Sequence, residues 1–157
     1  MKITSIAVTL AFSLALSGQA FAQDISFTKE SQGPSMLILS SSGGQATNTF
    51  SVLHSELSDI PYGSKEGTIT SISYVSTTYP ASFGETAELC FYTAYTNNPL
   101  TCTAIIPGSE GDVTTFNGQH FQAGVTVKIF HAADSTGSIY FAQPAGEESI
   151  TFNYTTN

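Results

Sequence analysis

The histidines are the residues of this chain best suited to act as a base or a metal ligand near neutral pH, and there are three: His54, His120 and His131. His120 and His131 flank a turn signal at residues 122–124, so a hairpin there would make their strands neighbours. A three-residue loop would place the two rings on opposite faces of the sheet. A two-residue loop would place them on one face but about 13 Å apart. We therefore interpret the histidines as solvated or structural, and their spacing predicts no shared metal ion.

The serines show no motif of a catalytic nucleophile. The chain lacks the G-x-S-x-G elbow, and the stretch around Ser64, with glycines at Gly63 and Gly67, has a different spacing. No other pattern in the sequence points to a reaction or to an organic cofactor. The sequence therefore predicts no catalytic residues, and we do not expect an enzyme.

Two pairs of carboxylates, Glu110 with Asp112 and Glu147 with Glu148, lie beside glycines that are typical of turns. Calcium is the functional alternative for such residues, because it binds oxygen ligands on loops. The EF-hand spacing of acidic residues is absent, however. We interpret both pairs as solvated loop acids.

The two cysteines, Cys90 and Cys102, flank a strong turn signal at residues 97–99. The segments before and after it, residues 87–94 and 100–106, both have the composition of strands. A hairpin closed around Thr96 would place the two cysteines opposite each other, which predicts a disulfide in an oxidising compartment. No C-x-x-C is present, and two isolated cysteines make at most half of a zinc site.

Turn signals recur along the whole chain and are separated by stretches of about six to ten residues, a spacing typical of β-sandwiches and barrels. Hydrophobic residues alternate with polar ones in several stretches, as at Ile150, Phe152 and Tyr154. These patterns predict an all-β fold over residues 23–157. We expect a single-domain antiparallel β-sandwich of about seven or eight strands, with one cross-strand disulfide hairpin.

Three local predictions follow from the same patterns. A change of alternation near Thr70 and Ser71 predicts a β-bulge. Residues 47–60 fit either a strand or a short helix, and their β-branched and serine content favours the strand. The turn at residues 134–137 is expected to join strands at 125–132 and 138–142 into a hairpin.

The first 22 residues have the features of a secretory signal peptide. Lys2 precedes an apolar stretch at residues 6–16, and Ala20, Phe21 and Ala22 form a small-x-small cleavage signal. The apolar stretch is short for a membrane span, which takes about 20 residues. We therefore expect cleavage after Ala22 and no stable membrane span in the mature protein.

The composition excludes some classes of partner. The chain has 4 basic and 12 acidic residues, and loss of Lys2 with the leader leaves a formal charge of −9. Such a chain is repelled by phosphate backbones and by anionic membrane surfaces, so we expect no nucleic-acid binding. Glycan binding stays open, although the absence of tryptophan weakens it. Five tyrosines are candidate surface anchors, although most of them are expected to be half-buried sheet residues: Tyr62, Tyr74, Tyr79, Tyr92 and Tyr95.

A series of short motifs runs through residues 68–154: Leu89 beside Cys90, then Cys102, then a Gly-Asp-Val-Thr-Thr-Phe-Asn-Gly stretch at 111–118, and an Asn-Tyr pair at 153–154. This series resembles the flagellar FlhE family of small periplasmic proteins. The resemblance implies a non-enzymatic periplasmic protein that binds another polypeptide in flagellar export and swarming, and it brings no catalytic residues. The alternative is a secreted adhesion, biofilm-matrix or carbohydrate-binding module, which the Ser/Thr/Asn-rich, charge-poor composition suggests.

Overall fold

The computed structural model describes residues 22–156, so the expected signal peptide lies outside the described residues, apart from Ala22. Eleven strands run through these residues: β1 (Asp24–Gln32), β2 (Met36–Leu39), β3 (Gly43–Ser51), β4 (Gly67–Val75), β5 (Thr86–Tyr92), β6 (Thr101–Ile105), β7 (Glu110–Val113), β8 (His120–Phe121), β9 (Thr126–Ala133), β10 (Tyr140–Ala142) and β11 (Glu147–Thr155). Two short 3₁₀ segments, His54–Leu57 and Tyr62–Ser64, lie between β3 and β4.

The strands form two antiparallel sheets, which confirms the predicted all-β sandwich. Sheet A has the order β1-β11-β4-β7, with β8 also paired to β4, and sheet B has the order β10-β2-β3-β9-β5-β6. The number of strands exceeds the expected seven or eight because β2, β7, β8 and β10 are short pieces of two to four residues. The strand expected at residues 138–142 contains β10, whereas β7 and β8 are too short for composition and alternation to reveal them.

The hydrophobic core lies between the two sheets. Ile150, Phe152 and Tyr154 of β11 all point inward, as their alternation predicts. The ring of Phe121 stacks on the ring of Tyr154 with centroids 4.0 Å apart. A second, smaller core cluster lies around Met36 and Tyr79. The period-2 pattern therefore places these apolar side chains correctly, because each strand has one face on the core.

The β-bulge predicted near Thr70 and Ser71 is confirmed. Asn153 of β11 pairs with Ser71, whereas the next residue, Tyr154, pairs with Ile69, so Thr70 is the extra residue of β4. This extra residue allows both Ile69 and Ile72 to face the core although they are three positions apart.

Residues 47–60 contain both of the structures that their sequence left open. The strand β3 continues to Ser51, and the 3₁₀ segment follows after two residues. The Glu56 carboxylate accepts a hydrogen bond from the Leu53 backbone N–H at 2.8 Å and forms an ion pair with Lys29, also at 2.8 Å. This carboxylate therefore links the start of the 3₁₀ segment to β1.

The hairpin predicted at residues 134–137 is wrong. The strand β10 pairs with β2, and β9 has β3 and β5 as its two neighbours. Because both edges of β9 are already occupied, the chain after Ala133 crosses to the far edge of sheet B. The turn at residues 122–124 is no hairpin either, since β8 belongs to sheet A and β9 to sheet B.

The disulfide hairpin is confirmed. Cys90 of β5 and Cys102 of β6 are direct cross-strand partners with Cα atoms 4.1 Å apart, and their sulfurs are bonded. The bond closes the hairpin whose tip contains the predicted turn.

Candidate functional site

An ionic cluster lies inside the sandwich, at the boundary of the main core. His131 lies on β9 in sheet B and Glu148 lies on β11 in sheet A. Glu85 is the residue immediately before β5. The His131 and Glu148 residues are each 1% exposed. Each of the three continues the inward-facing register of its strand, two positions from an apolar residue: His131 after Ile129, Glu148 before Ile150, and Glu85 before Ala87.

The imidazole of His131 lies between the two carboxylates. Its Nδ1 is 2.9 Å from Oε1 of Glu85, and its Nε2 is 2.8 Å from Oε1 of Glu148. Only the imidazolium can donate a hydrogen bond from both nitrogens. Burial by itself lowers the pKa of His131, but the hydrogen bonds and charges of Glu148 and Glu85 outweigh it and raise that pKa above 6.5.

Backbone groups hold the two carboxylates in place. The N–H of Thr77 donates to Oε1 of Glu148 at 3.2 Å, and the N–H of Tyr79 donates to Oε2 of Glu85 at 3.0 Å. The Tyr79 ring lies edge-on to the His131 ring, 5.2 Å between centroids, and its hydroxyl donates to the Pro34 carbonyl at 2.7 Å. Burial, followed by the charges of the two glutamates, raises the pKa of Tyr79 to about 12.

The cluster joins β9 of sheet B, β11 of sheet A and the residue before β5. Both ring nitrogens of His131 are engaged and the residue is buried, so neither nitrogen is free to exchange a proton with a bound molecule in this conformation. The geometry instead makes the cluster an electrostatic link across the sandwich. His131 is thus structural, which is one of the two interpretations its sequence allowed.

The prediction that Glu148 is a solvated loop acid is wrong, because its side chain is buried against His131 in a strand. The other three acids, Glu110, Asp112 and Glu147, are exposed, but they also lie on strands rather than in turns. The glycine at Gly146 suggests a turn that includes Glu147 and Glu148, but β11 and its alternation of buried and exposed residues already begin at Glu147. Glu148 therefore takes an inward-facing position, two residues before Ile150.

The other two histidines are exposed and lie on separate elements. His54 begins the first 3₁₀ segment and lines a surface cavity of about 370 Å³. His120 lies on β8, with Nε2 3.7 Å from a carboxylate oxygen of Glu66. Within residues 22–156, the one group of three metal-type ligands close together is Glu88, Cys90 and Cys102, and both sulfurs there are in the disulfide.

The outer face of sheet A is rich in hydroxyl groups that bond to neighbouring side chains. The hydroxyl of Ser26 donates to the side-chain oxygen of Asn153 at 2.7 Å, and Nδ2 of Asn153 donates to Ser71 and Ser73 at 3.0 Å each. These side chains satisfy one another across three neighbouring strands. A cavity of about 300 Å³ on the same face is lined in part by Glu110, Asp112 and Ser149.

The outer face of sheet B is different, because it contains a groove of about 630 Å³ with a largely apolar floor. Outward-facing residues of β3, β5, β6 and β9 line it, among them Gln45, Glu88, Tyr92, Ala104 and Phe130. The tip of the disulfide hairpin contributes Pro99. A volume of this size lies within the range of about 300–1,000 Å³ that is usual for ligand sites.

The tyrosines divide into two groups. Tyr79 and Tyr92 are buried and Tyr74 is half-buried, whereas Tyr62 and Tyr95 are 94% and 86% exposed. The exposed pair lies on the 3₁₀ segment and on the hairpin tip, respectively. Only these two of the five therefore offer a ring to solvent.

No protein-family model matches this sequence, and no curated protein matches it either. The chain is, however, similar in structure to the crystal structure of FlhE. The TM-score is 0.53 at 13% sequence identity, over 83% of this chain and 96% of that chain. The protein has an FlhE-like fold. None of the helices in residues 22–156 is long and apolar enough to cross a bilayer.

The FlhE-like fold brings together residues that sequence reasoning treated separately. His131, Glu148 and Glu85 form one cluster, although the sequence motifs point only to His131 and Glu148. Strand parity was the available signal, since each of the three lies two positions from an inward apolar residue. The groove had no comparable signal, because it depends on which strands are neighbours.

Proposed function

We propose that this protein is an exported, non-enzymatic accessory protein of the FlhE kind that stays in the periplasm and binds a polypeptide of the flagellar export system. The FlhE-like fold is the observation that carries the proposal. The order of motifs in residues 68–154 supports it independently of the structure. The disulfide supports export, because such bonds form and persist in oxidising compartments.

The chemistry of the described residues supports a binding role over a catalytic one. His131, the most strongly held histidine, has both nitrogens engaged inside the core. Both cysteines are bonded to each other, so neither provides a thiolate nucleophile. The groove on sheet B, of about 630 Å³, offers a concave surface for a partner.

The test combines a gene deletion with fractionation. The deletion strain is compared with the parent in swimming, swarming and surface attachment, and a plasmid copy with a C-terminal tag provides complementation. The tagged protein is located by osmotic shock, and its intact mass shows whether the mature chain begins at Gln23. Swarming or swimming defects that the plasmid corrects, with the protein in the shock fluid, support the proposal.

The competing candidate is an adhesion, matrix or glycan-binding module. The exposed ring of Tyr62 is the observation that favours it, because exposed aromatic rings are typical platforms for sugars. Normal motility together with lost attachment, or a protein found mainly outside the cell, would contradict the flagellar proposal. The same result would support the adhesion module.

A further inference from the structure

We propose that the groove on the outer face of sheet B is a docking site for an extended polypeptide segment in which apolar side chains flank a lysine or arginine. The inference rests on the proposed function in one respect, namely that the partner is a polypeptide. It goes further by naming the surface and the composition of the segment that fits it.

The arrangement of the groove floor is the first argument. Glu88 of β5 lies directly between Phe130 of β9 and Ala104 of β6 in the pairing register. Two residues before Glu88 on the same face, Thr86 lies beside Ala132. A single carboxylate therefore has Phe130 and Ala104 as its two cross-strand neighbours on an outward face, a pattern that fits a cation attached to a hydrophobic segment.

The second argument is that Glu88 forms no ion pair with the described residues, although Lys128 is its diagonal neighbour on the same face. None of the ion pairs found within residues 22–156 involves Glu88. Lys29 is paired with Glu56, and the Lys128 ammonium lies 4.6 Å from the centroid of the Tyr92 ring. The expected mature chain carries a formal charge of −9 with three lysines and no arginine. A basic segment is therefore attracted to this protein from a distance and is given a specific partner at Glu88.

The spacing of the floor is the third argument. Outward side chains along a strand repeat every two residues, which is about 6.6 Å, and an extended peptide has the same repeat. A segment lying along β9 can therefore place one side chain over Ala132 and the next over Phe130, with a lysine or arginine reaching Glu88. The wall at Pro99, from the hairpin that the disulfide closes, limits the groove at one side.

The two faces of the sandwich differ in a way that selects this surface. Side chains on sheet A bond to one another, as Ser26, Asn153 and Ser73 do. Sheet B exposes an apolar cross-strand pair beyond the groove, Leu37 and Phe141 at 40% and 64% exposed, whereas sheet A exposes Val75 at 40% opposite the polar Ser149 and Glu110. Exposed apolar side chains of this kind mark contact surfaces.

The test is a titration of the ¹⁵N-labelled mature protein with three acetylated and amidated seven-residue peptides, followed by amide chemical shifts. One peptide alternates Lys with Leu, one alternates Lys with Ser, and one alternates Glu with Leu. We expect the Lys/Leu peptide to shift amides of residues 86–92, 102–104 and 128–132. The Lys/Ser peptide should bind at least tenfold more weakly, and the Glu/Leu peptide should not bind.

Two variants and one control variant locate the site. Glu88→Gln should weaken binding of the Lys/Leu peptide at least fivefold. Glu110→Gln, which replaces an exposed acid on sheet A, should leave that binding unchanged. Ala104→Arg places a bulky cation beside Glu88 on an exposed strand position and should abolish binding. Equal binding by Glu88→Gln, or shifts spread evenly over the acidic residues or confined to Leu37 and Phe141, would overturn the inference.

Complementation separates this inference from the proposed function. If wild-type plasmid restores motility to the deletion strain and Ala104→Arg does so equally well, the groove inference fails while the proposed function stands. If the deletion strain moves normally but the Lys/Leu peptide binds in the groove, the flagellar role fails and the docking surface stands.

Discussion

His131 and Glu148 face each other across the sandwich, with Nε2 of the ring 2.8 Å from Oε1 of the carboxylate. The two residues belong to different sheets, and both are buried. A buried ion pair contributes little net stability compared with an apolar pair, but loss of one partner is strongly destabilising. We therefore expect this contact to specify how the two sheets align.

Replacement of Glu148 by alanine should lower the free energy of unfolding by about 3 kcal/mol, because the buried imidazolium then loses one of its two carboxylates. Urea denaturation followed by circular dichroism measures the change. Glu147→Ala is the matched control, since that neighbouring carboxylate is exposed, and it should stay within about 0.5 kcal/mol of wild type. A small effect at both positions would show that the cluster adds no stability.

The stability of the wild-type protein should fall as the pH rises above about 6.5. Because the folded pKa of His131 is raised, the folded state binds more protons than the unfolded state between 6.5 and that higher pKa. The stabilisation by His131 is fully present below pH 6.5 and is lost as the pH rises through the pKa of His131 in the folded state. Urea midpoints between pH 6 and 9 measure it. Glu148→Ala should flatten the dependence of stability on pH, and Glu147→Ala should not. If the stability of both variants changed with pH in the same way, His131 would not be the source of the dependence.

The phenol of Tyr79 should ionise only near pH 12, because burial and two nearby glutamates disfavour the phenolate. Since its folded pKa lies above the unfolded value of 10, its contribution to stability is present below pH 10 and is lost as the pH rises toward 12. Absorbance at 295 nm follows the titration. Tyr79→Phe should remove one late-ionising phenol, and an unchanged late phase would exclude Tyr79 as its source.

Removal of the disulfide by replacing both Cys90 and Cys102 with alanine should lower the free energy of unfolding by about 3 kcal/mol. The bond closes a short loop, with a sequence separation of 12, which limits the entropy that it removes from the unfolded chain. Urea denaturation of the double variant is compared with that of the oxidised and the dithiothreitol-treated wild type. The reduced wild type and the double variant should agree, and a double variant as stable as the oxidised protein would contradict the estimate.

Much of the fold could be predicted from local patterns. Alternation placed Ile150, Phe152 and Tyr154 inward, and the shift in alternation near Thr70 identified the bulge. The turn between the cysteines identified a hairpin and its bond. Each of these depends on residues close together in the chain, so period-2 geometry is enough to infer it.

Pairing between distant segments could not be predicted in the same way. The turn at residues 134–137 has the composition of a hairpin, yet β10 pairs with β2 because β3 and β5 already occupy both edges of β9. The residues of a turn do not indicate which strand edges are still unpaired. For the same reason His120 and His131, on either side of one turn, lie in different sheets.

By itself the sequence determined the acidic charge, the all-β class, the disulfide hairpin and the inward register of individual strands, because these follow from composition and from residues near each other in the chain. Tertiary structure alone decided that three inward polar residues, His131, Glu148 and Glu85, meet as one buried cluster. It also decided that Glu88 lies between Phe130 and Ala104 on the floor of a groove. Both outcomes depend on which strands are neighbours and which sheets face each other, and long-range packing selects that arrangement.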